Sequence, residues 1–130
     1  MEHDLSRGKA EASHLVLPID TNPIGALFGG RAVQWMDVAA GLAAIRLSGH
    51  TAVTASIERL DFKVPIKWGD IAVVKAHVVS VGRTSMNVEV DMFRENAAVG
   101  TRELCTTGLF HMVALNEEGK PTSVFESIEA

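Results

Sequence analysis

One carboxylate, one amide and a glycine pair in the first third of the chain have the types and spacing for chemistry on a carbonyl group. Asp37 sits in the middle of the stretch RAVQWMDVAAGLAAIRL (31–47), where most other residues are apolar. Burying an unpaired carboxylate is costly, so its presence asks for a reason. Small residues around it leave room for a close helix contact or a ligand groove. Phe28-Gly29-Gly30 opens the same stretch, and a helix start leaves backbone N–H groups free to hold an anion or an oxyanion. Asn22 lies eight residues before Gly30 and can aim its amide at a water or a carbonyl. Further on, the turn Val81-Gly82-Arg83-Thr84-Ser85 carries a guanidinium and two hydroxyls, and Lys63 is a further charge.

Each of these has a plainer reading. Asp37 can pair with Arg31, Arg46 or a backbone donor as an internal ion pair, and the glycines can be loop hinges. Asn22 can close an Asx turn beside Pro23, and the 81–85 turn can be an exposed hairpin with a solvated arginine. Other catalytic patterns are absent. The serines and the five histidines, His3, His14, His50, His77 and His111, show no nucleophile-elbow context, and no HExxH-type motif occurs, so no metal site is expected.

These residues need elements to hold them. His14–Ile19 reads as a first strand, followed by a loop, 20–30, rich in glycine and proline. Strong helix formers without proline then run from Gly30 to Leu47, and Ser48-Gly49 supplies a stop. Val33, Trp35, Met36, Val38, Leu42 and Ile45 point several ways around this helix, which predicts that it is buried and wrapped by a sheet. Gly30, Asp37, Gly41 and Ala44 share one narrow stripe, small residues around a single carboxylate. Ser85–Phe93 alternates cleanly, with Met86, Val88, Val90 and Met92 on one face. Thr51–Phe62 starts with Val53, Ala55 and Ile57 in phase and then shifts to Leu60 and Phe62, which predicts a bulge near Glu58. Ile71–Val81 and Thr101–Leu115 complete the strands. The fold class is α+β, with residues 14–122 as the domain and 1–13 and 123–130 as mobile tails.

Composition bounds the function classes. The chain has 130 residues, 47% hydrophobic and 22% charged, enough for one compact domain and too apolar for disorder. Its net charge of −4 gives no overall electrostatic case for nucleic acid or an anionic membrane as partner. Cys105 is the only cysteine, which excludes an internal disulfide and makes a reducing, cytoplasmic setting the default. Met1–Ser13 lacks the basic-then-apolar order of a signal peptide, and the longest apolar stretch, Val38–Ile45, falls short of the roughly 18 residues a span needs.

Asn22-Pro-Ile-Gly25, Leu27-Phe28-Gly29-Gly30 and Gln34-Trp35-Met36-Asp37 together resemble the signature of hot-dog-fold acyl-CoA thioesterases. The resemblance extends over residues 14–122, through Phe62-Lys-Val-Pro65, Trp68-Gly69-Asp70, the 81–85 turn and Asn116-Glu-Glu-Gly119-Lys120-Pro121. These are similar in kind and order to the short bacterial acyl-CoA thioesterases and the brain-type acyl-CoA hydrolases. It implies one long helix wrapped by a five- to six-stranded antiparallel sheet, and hydrolysis of an acyl-CoA to a free acid and coenzyme A without metal or bound cofactor. By the same resemblance Asp37 is the general base or nucleophile, Asn22 orients the water or carbonyl, and the Gly30 N–H polarises the thioester oxygen. Gly29, Lys63, Gly82, Arg83, Thr84 and Ser85 are expected to meet the coenzyme A portion. The sequence departs from the pattern at Arg31, a cation where the helix dipole disfavours one, and at Val124-Phe125 near the end.

Geometry adds a constraint, because seven residues of helix separate Gly30 from Asp37 by about 10.5 Å, too far for both to touch one reaction centre. Two antiparallel copies of the helix related by a twofold axis would bring Gly30 and Asn22 of one chain opposite Asp37 of the other, the arrangement that the resemblance to hot-dog dimers implies. The expectation is a homodimer with two shared sites, with tetramers or hexamers left open. A hydratase on the same fold needs a catalytic histidine, and none lies between Asn22 and Asp37. The rival from another class is a non-catalytic acyl-CoA-binding sensor, which gains nothing evident from a carboxylate facing a thioester. A structural oligomer with Asp37 in an ion pair is the third reading.

Overall fold

The computed structural model describes residues 3–125. Five strands, β1 (Lys9–Leu15), β2 (Thr51–Phe62), β3 (Ile71–Val81), β4 (Ser85–Glu95) and β5 (Arg102–Leu115), form one sheet in the order β1-β3-β4-β5-β2. All pairings are antiparallel. The one α-helix among the described residues, α1 (Gly29–Ser48), lies across one face and touches every strand. This is the hot-dog architecture that the resemblance implies.

The helix ends where Gly49 turns left-handed at φ 72° and its N–H caps the Ile45 carbonyl. It meets the sheet through Met36 and through Ala32, Ala39, Ala40, Ala43 and Ala44, whose small side chains let the two backbones approach closely. From the sheet, Met86, Val88, Val90 and Met92 of β4 and Phe110, Met112 and Ala114 of β5 complete the core. The alternation in β4 is as its sequence predicts. The opposite face of the sheet is polar across four strands: His111 sits between Asn87 and Glu58, and the Asn87 amide donates to Ser80.

Four expectations need correction. The helix is not covered on all sides: Val38, Leu42 and Ile45 are 40–59% exposed and form an outward apolar face. The first strand begins at Lys9, inside the expected tail 1–13, because alternate residues from Ala10 onward can pack inward while their backbone pairs with β3. Gly8 and Leu5 are also packed, and a Cβ on Gly8 would come within 2.7 Å of Val78. At the other end, the domain passes residue 122, since Val124 is 1% exposed and donates its N–H to the Arg83 carbonyl. Residues 126–130 of the expected C-terminal tail lie outside the described residues. Finally, β2 carries two register shifts, between Glu58 and Asp61 as expected and also between Thr54 and Ser56. The extra residue reverses the phase. Thr54 therefore faces the helix, while Val53 and Ala55 face away.

Phe110 is fully buried at the centre of this core. Phe110→Ala is expected to lower the unfolding free energy by about 3–5 kcal/mol, read from urea denaturation at constant m. A change below about 1 kcal/mol would place the weight of the core elsewhere.

Candidate active site

The two flanks of α1 lead to different partners. On the flank toward β2, Asp37 is half-buried and accepts a 2.5 Å hydrogen bond from the Thr54 hydroxyl. Thr54 lies beside the Met112 sulfur and is the residue that sequence reasoning missed. Asp37 makes none of the ion pairs weighed for it, because both arginines are committed elsewhere. Arg31 pairs with Asp20 at 3.2 Å and donates to Gln34, and Arg46 donates to the Lys9 carbonyl. On the β1 flank, Trp35 stacks on His14 with ring centroids 4.2 Å apart.

The helix start is held from outside. Asp20, 7% exposed, accepts from the Leu17 N–H with its side chain, accepts from the Phe28 N–H with its carbonyl and pairs with Arg31. The loop that contains Asn22 is thus closed at its base. Asn22 does form the Asx turn: its side-chain oxygen accepts from the Ile24 and Ala26 N–H groups at 3.1 Å. That leaves its amide NH2 as the group to donate, beside a cleft that Asn22 and Gly29 both line. No side chain caps the helix, and its first turn holds no acidic residue. A Cβ added to Gly30 would meet only Phe28, at 3.6 Å. Nothing among the described residues demands glycine there; without a Cβ, the approach to the first N–H groups, which no side chain caps, is left clear.

One chain does not bring all the expected site residues together. Asn22, Gly29 and Gly30 stand at the start of the helix, and Asp37 is two turns along it. Lys63 follows the Phe62 end of β2, which pairs through Thr106 with Met92, whereas Ser85 pairs through Val113 with Val53 at the other end. Lys63 and the Gly82-Arg83-Thr84-Ser85 turn therefore sit at opposite ends of one sheet. The turn itself is tight: the Gly82 N–H donates to the Ser85 carbonyl, and the Arg83 and Thr84 carbonyls receive Val124 and Ala114. The Arg83 guanidinium is without a partner among the described residues. No group of three or more His, Cys, Asp or Glu among those residues is placed to hold a metal ion, and no helix among them is long and apolar enough to cross a membrane.

This fold is that of a known group. Residues 24–101 match the model of the thioesterase superfamily, and the chain belongs to that family. It is 38% identical over 109 residues to an uncharacterized acyl-CoA thioester hydrolase, YkhA, of Bacillus subtilis; the match covers 84% of this chain and 63% of that relative's length. A hexameric acyl-CoA thioesterase superposes with a TM-score of 0.89 at 38% identity, over 93% of this chain and 78% of the other. The acyl-CoA hydrolase of Staphylococcus aureus, solved with butyryl coenzyme A and coenzyme A, superposes at 0.88 and 34% identity, over 92% and 73%. That hydrolase has also been solved with an asparagine, an aspartate or a threonine replaced by alanine. Those three residues have the spacing of Asn22, Asp37 and Thr54.

Burial lowers the His14 pKa from its ordinary value of 6.5, and the Asp20 carboxylate pulls weakly the other way. The folded state thus favours the neutral ring, so this contribution to stability is complete above about pH 6.5 and is lost as pH falls through the folded value. His14→Phe keeps a ring on Trp35 and removes the titration. Its Tm should fall less than that of the wild type between pH 7 and pH 5; identical slopes would exclude a His14 contribution.

Proposed function

We propose that this protein hydrolyses acyl-CoA thioesters to a free carboxylic acid and coenzyme A, at a site completed by two copies of the chain. The observation that carries this reading is the Asp37–Thr54 pair, a half-buried carboxylate fixed by a strand hydroxyl at the border of an uncovered apolar helix face. A second copy packed on that face about a twofold axis sets Asn22 and Gly30 of one chain opposite Asp37 of the other. Dimers assemble further in this reading, as the hexameric relative suggests.

Asp37 takes a proton from water while the water oxygen bonds to the thioester carbonyl carbon. Charge moves onto the carbonyl oxygen, where the Gly30 N–H and the Asn22 amide hold it. Collapse breaks the C–S bond, and the coenzyme A sulfur leaves with the proton. Asp37 acting as nucleophile reaches the same products through an anhydride that water then splits. Thr54 keeps the carboxylate aimed in either case. Gly29 lets the substrate approach, and Lys63, Gly82, Arg83, Thr84 and Ser85, drawn from different chains, meet the phosphates of coenzyme A. In this scheme coenzyme A enters as part of the substrate, and neither metal nor a bound cofactor is called for. We take the setting to be cytoplasmic and the role to lie in fatty acid metabolism, with the single thiol of Cys105 needing no oxidising compartment.

Release of free thiol from a panel of acyl-CoAs tests the activity. Asp37→Asn should abolish turnover while retaining ligand binding; a wild type that binds every acyl-CoA and cleaves none is the sensor instead. Asp37→Asn and Asn22→Ala should each be inactive alone. Unfolded and refolded together, they should regain about a quarter of wild-type activity, because half the dimers are mixed and each holds one intact site. No recovery, with mixed dimers shown to form, would place Asn22 and Asp37 in one chain's site.

A further inference from the structure

The cleft beside the helix start is apolar except at two points. It encloses about 310 Å³ between the loop carrying Asn22 and the segment after β2, with Leu27, Phe62, Val64 and Ile66 among its walls. Asn22 stands with Gly29 on the side of the uncapped helix turn. The other polar group is Thr106 of β5, only 2% exposed and paired in register with Phe62 and Met92. Its hydroxyl makes no hydrogen bond to any described residue. Yet no buried side-chain oxygen or nitrogen among those residues is sealed off without a partner, so the hydroxyl opens on the cleft it lines. A threonine whose methyl and hydroxyl differ so in what they require is an unusual lining for a slot that takes only hydrocarbon.

We propose that this cleft receives the acyl group and that Thr106 selects a short acyl chain bearing an oxygen substituent, a hydroxyl or oxo group, over the plain chain of equal length. The proposal rests on the thioesterase reading and specifies the substrate class of the same site. With the thioester oxygen on the Gly30 N–H, the chain passes Gly29 and enters the cleft. The volume of the cleft lies at the small end of the range of small-ligand pockets, roughly 300–1,000 Å³, and suits a short acyl group. A plain chain expels water from the Thr106 hydroxyl and offers it nothing in return. A substrate hydroxyl or oxo oxygen restores the bond, and a site with a buried polar group discriminates against the analogue that leaves it unpaired.

The test compares kcat/KM for pairs of acyl-CoAs of four to eight carbons, each plain chain against its hydroxy and oxo counterparts, in the wild type, Thr106→Val and Thr106→Ser. The wild type should favour the oxygenated member of at least one pair by about tenfold, the worth of one neutral hydrogen bond. Thr106→Val should level that ratio, and Thr106→Ser, which restores the hydroxyl, should retain it even if the valine variant folds poorly. A wild type that prefers the plain chain in every pair, or a folded valine variant that keeps the preference, overturns the proposal. The same pairs are titrated by calorimetry onto Asp37→Asn, so the affinity ratio is read without turnover. Absence of hydrolysis by the wild type then counts against the thioesterase reading, while equal affinities within every pair count against Thr106.

Discussion

The close contact between an alanine-lined helix face and one side of a five-stranded sheet is what the remaining structure depends on. Because Ala32, Ala39, Ala40, Ala43 and Ala44 let α1 settle deeply against β3, β4 and β5, its flanks come level with the edge strands. One flank meets β1, through the Arg46 bond to the Lys9 carbonyl and the stack of Trp35 on His14. The other meets β2, where the Thr54 hydroxyl reaches Asp37. Larger side chains on the buried face would lift the helix and separate that pair. The carboxylate is therefore aimed by packing several residues away, through the core side of α1 and β2.

The helix start is fixed by polar contacts rather than by packing. Asp20 joins three things that would otherwise move independently: the Leu17 amide, the Phe28 amide at the helix entry and the Arg31 guanidinium in the first turn. This accounts for a cation at a helix start, where the dipole disfavours one. Arg31 neutralises a nearly buried carboxylate whose carbonyl and side chain together shape the loop carrying Asn22. A buried carboxylate left without its cation is costly, so removal of Arg31 would loosen the loop that Asp20 holds. The first N–H groups of the helix keep their freedom because the loop is held by Asp20 and not by a capping side chain.

What was legible in the sequence divides along the same line. The alternation of β4, the span of α1 and the Gly49 stop are local signals, and they appear in the structure nearly as read. The phase of β2 is not local. Val53, Ala55 and Ile57 look like one inward set, but the register shift after Thr54 inserts a residue and turns the first two outward. The same shift hid Thr54, whose partner lies seventeen residues away on another element. The chain ends were misread because short polar stretches acquire structure only against something: β1 against β3, and Val124 against the core and the Arg83 carbonyl. Asp37, Asn22 and the glycine pair were legible because their residue types are rare in such company. Of their contacts within one chain, the Asx turn of Asn22 was legible and the bond from Thr54 to Asp37 was not.

The outward face of α1 carries the remaining argument. Val38, Leu42 and Ile45 made the helix look buried on every side, and within one chain they are the part that is not. Gly41 lies among them with open space where a Cβ would stand. An apolar ridge interrupted by a glycine is a surface on which a second helix can pack closely. It runs alongside Asp37, so anything seated there dries the carboxylate on its exposed side. On the proposed reading, the hydrophobic gain that covers this face and the exclusion of water from the open side of Asp37 are one event, so that chain association and completion of the site cannot be separated.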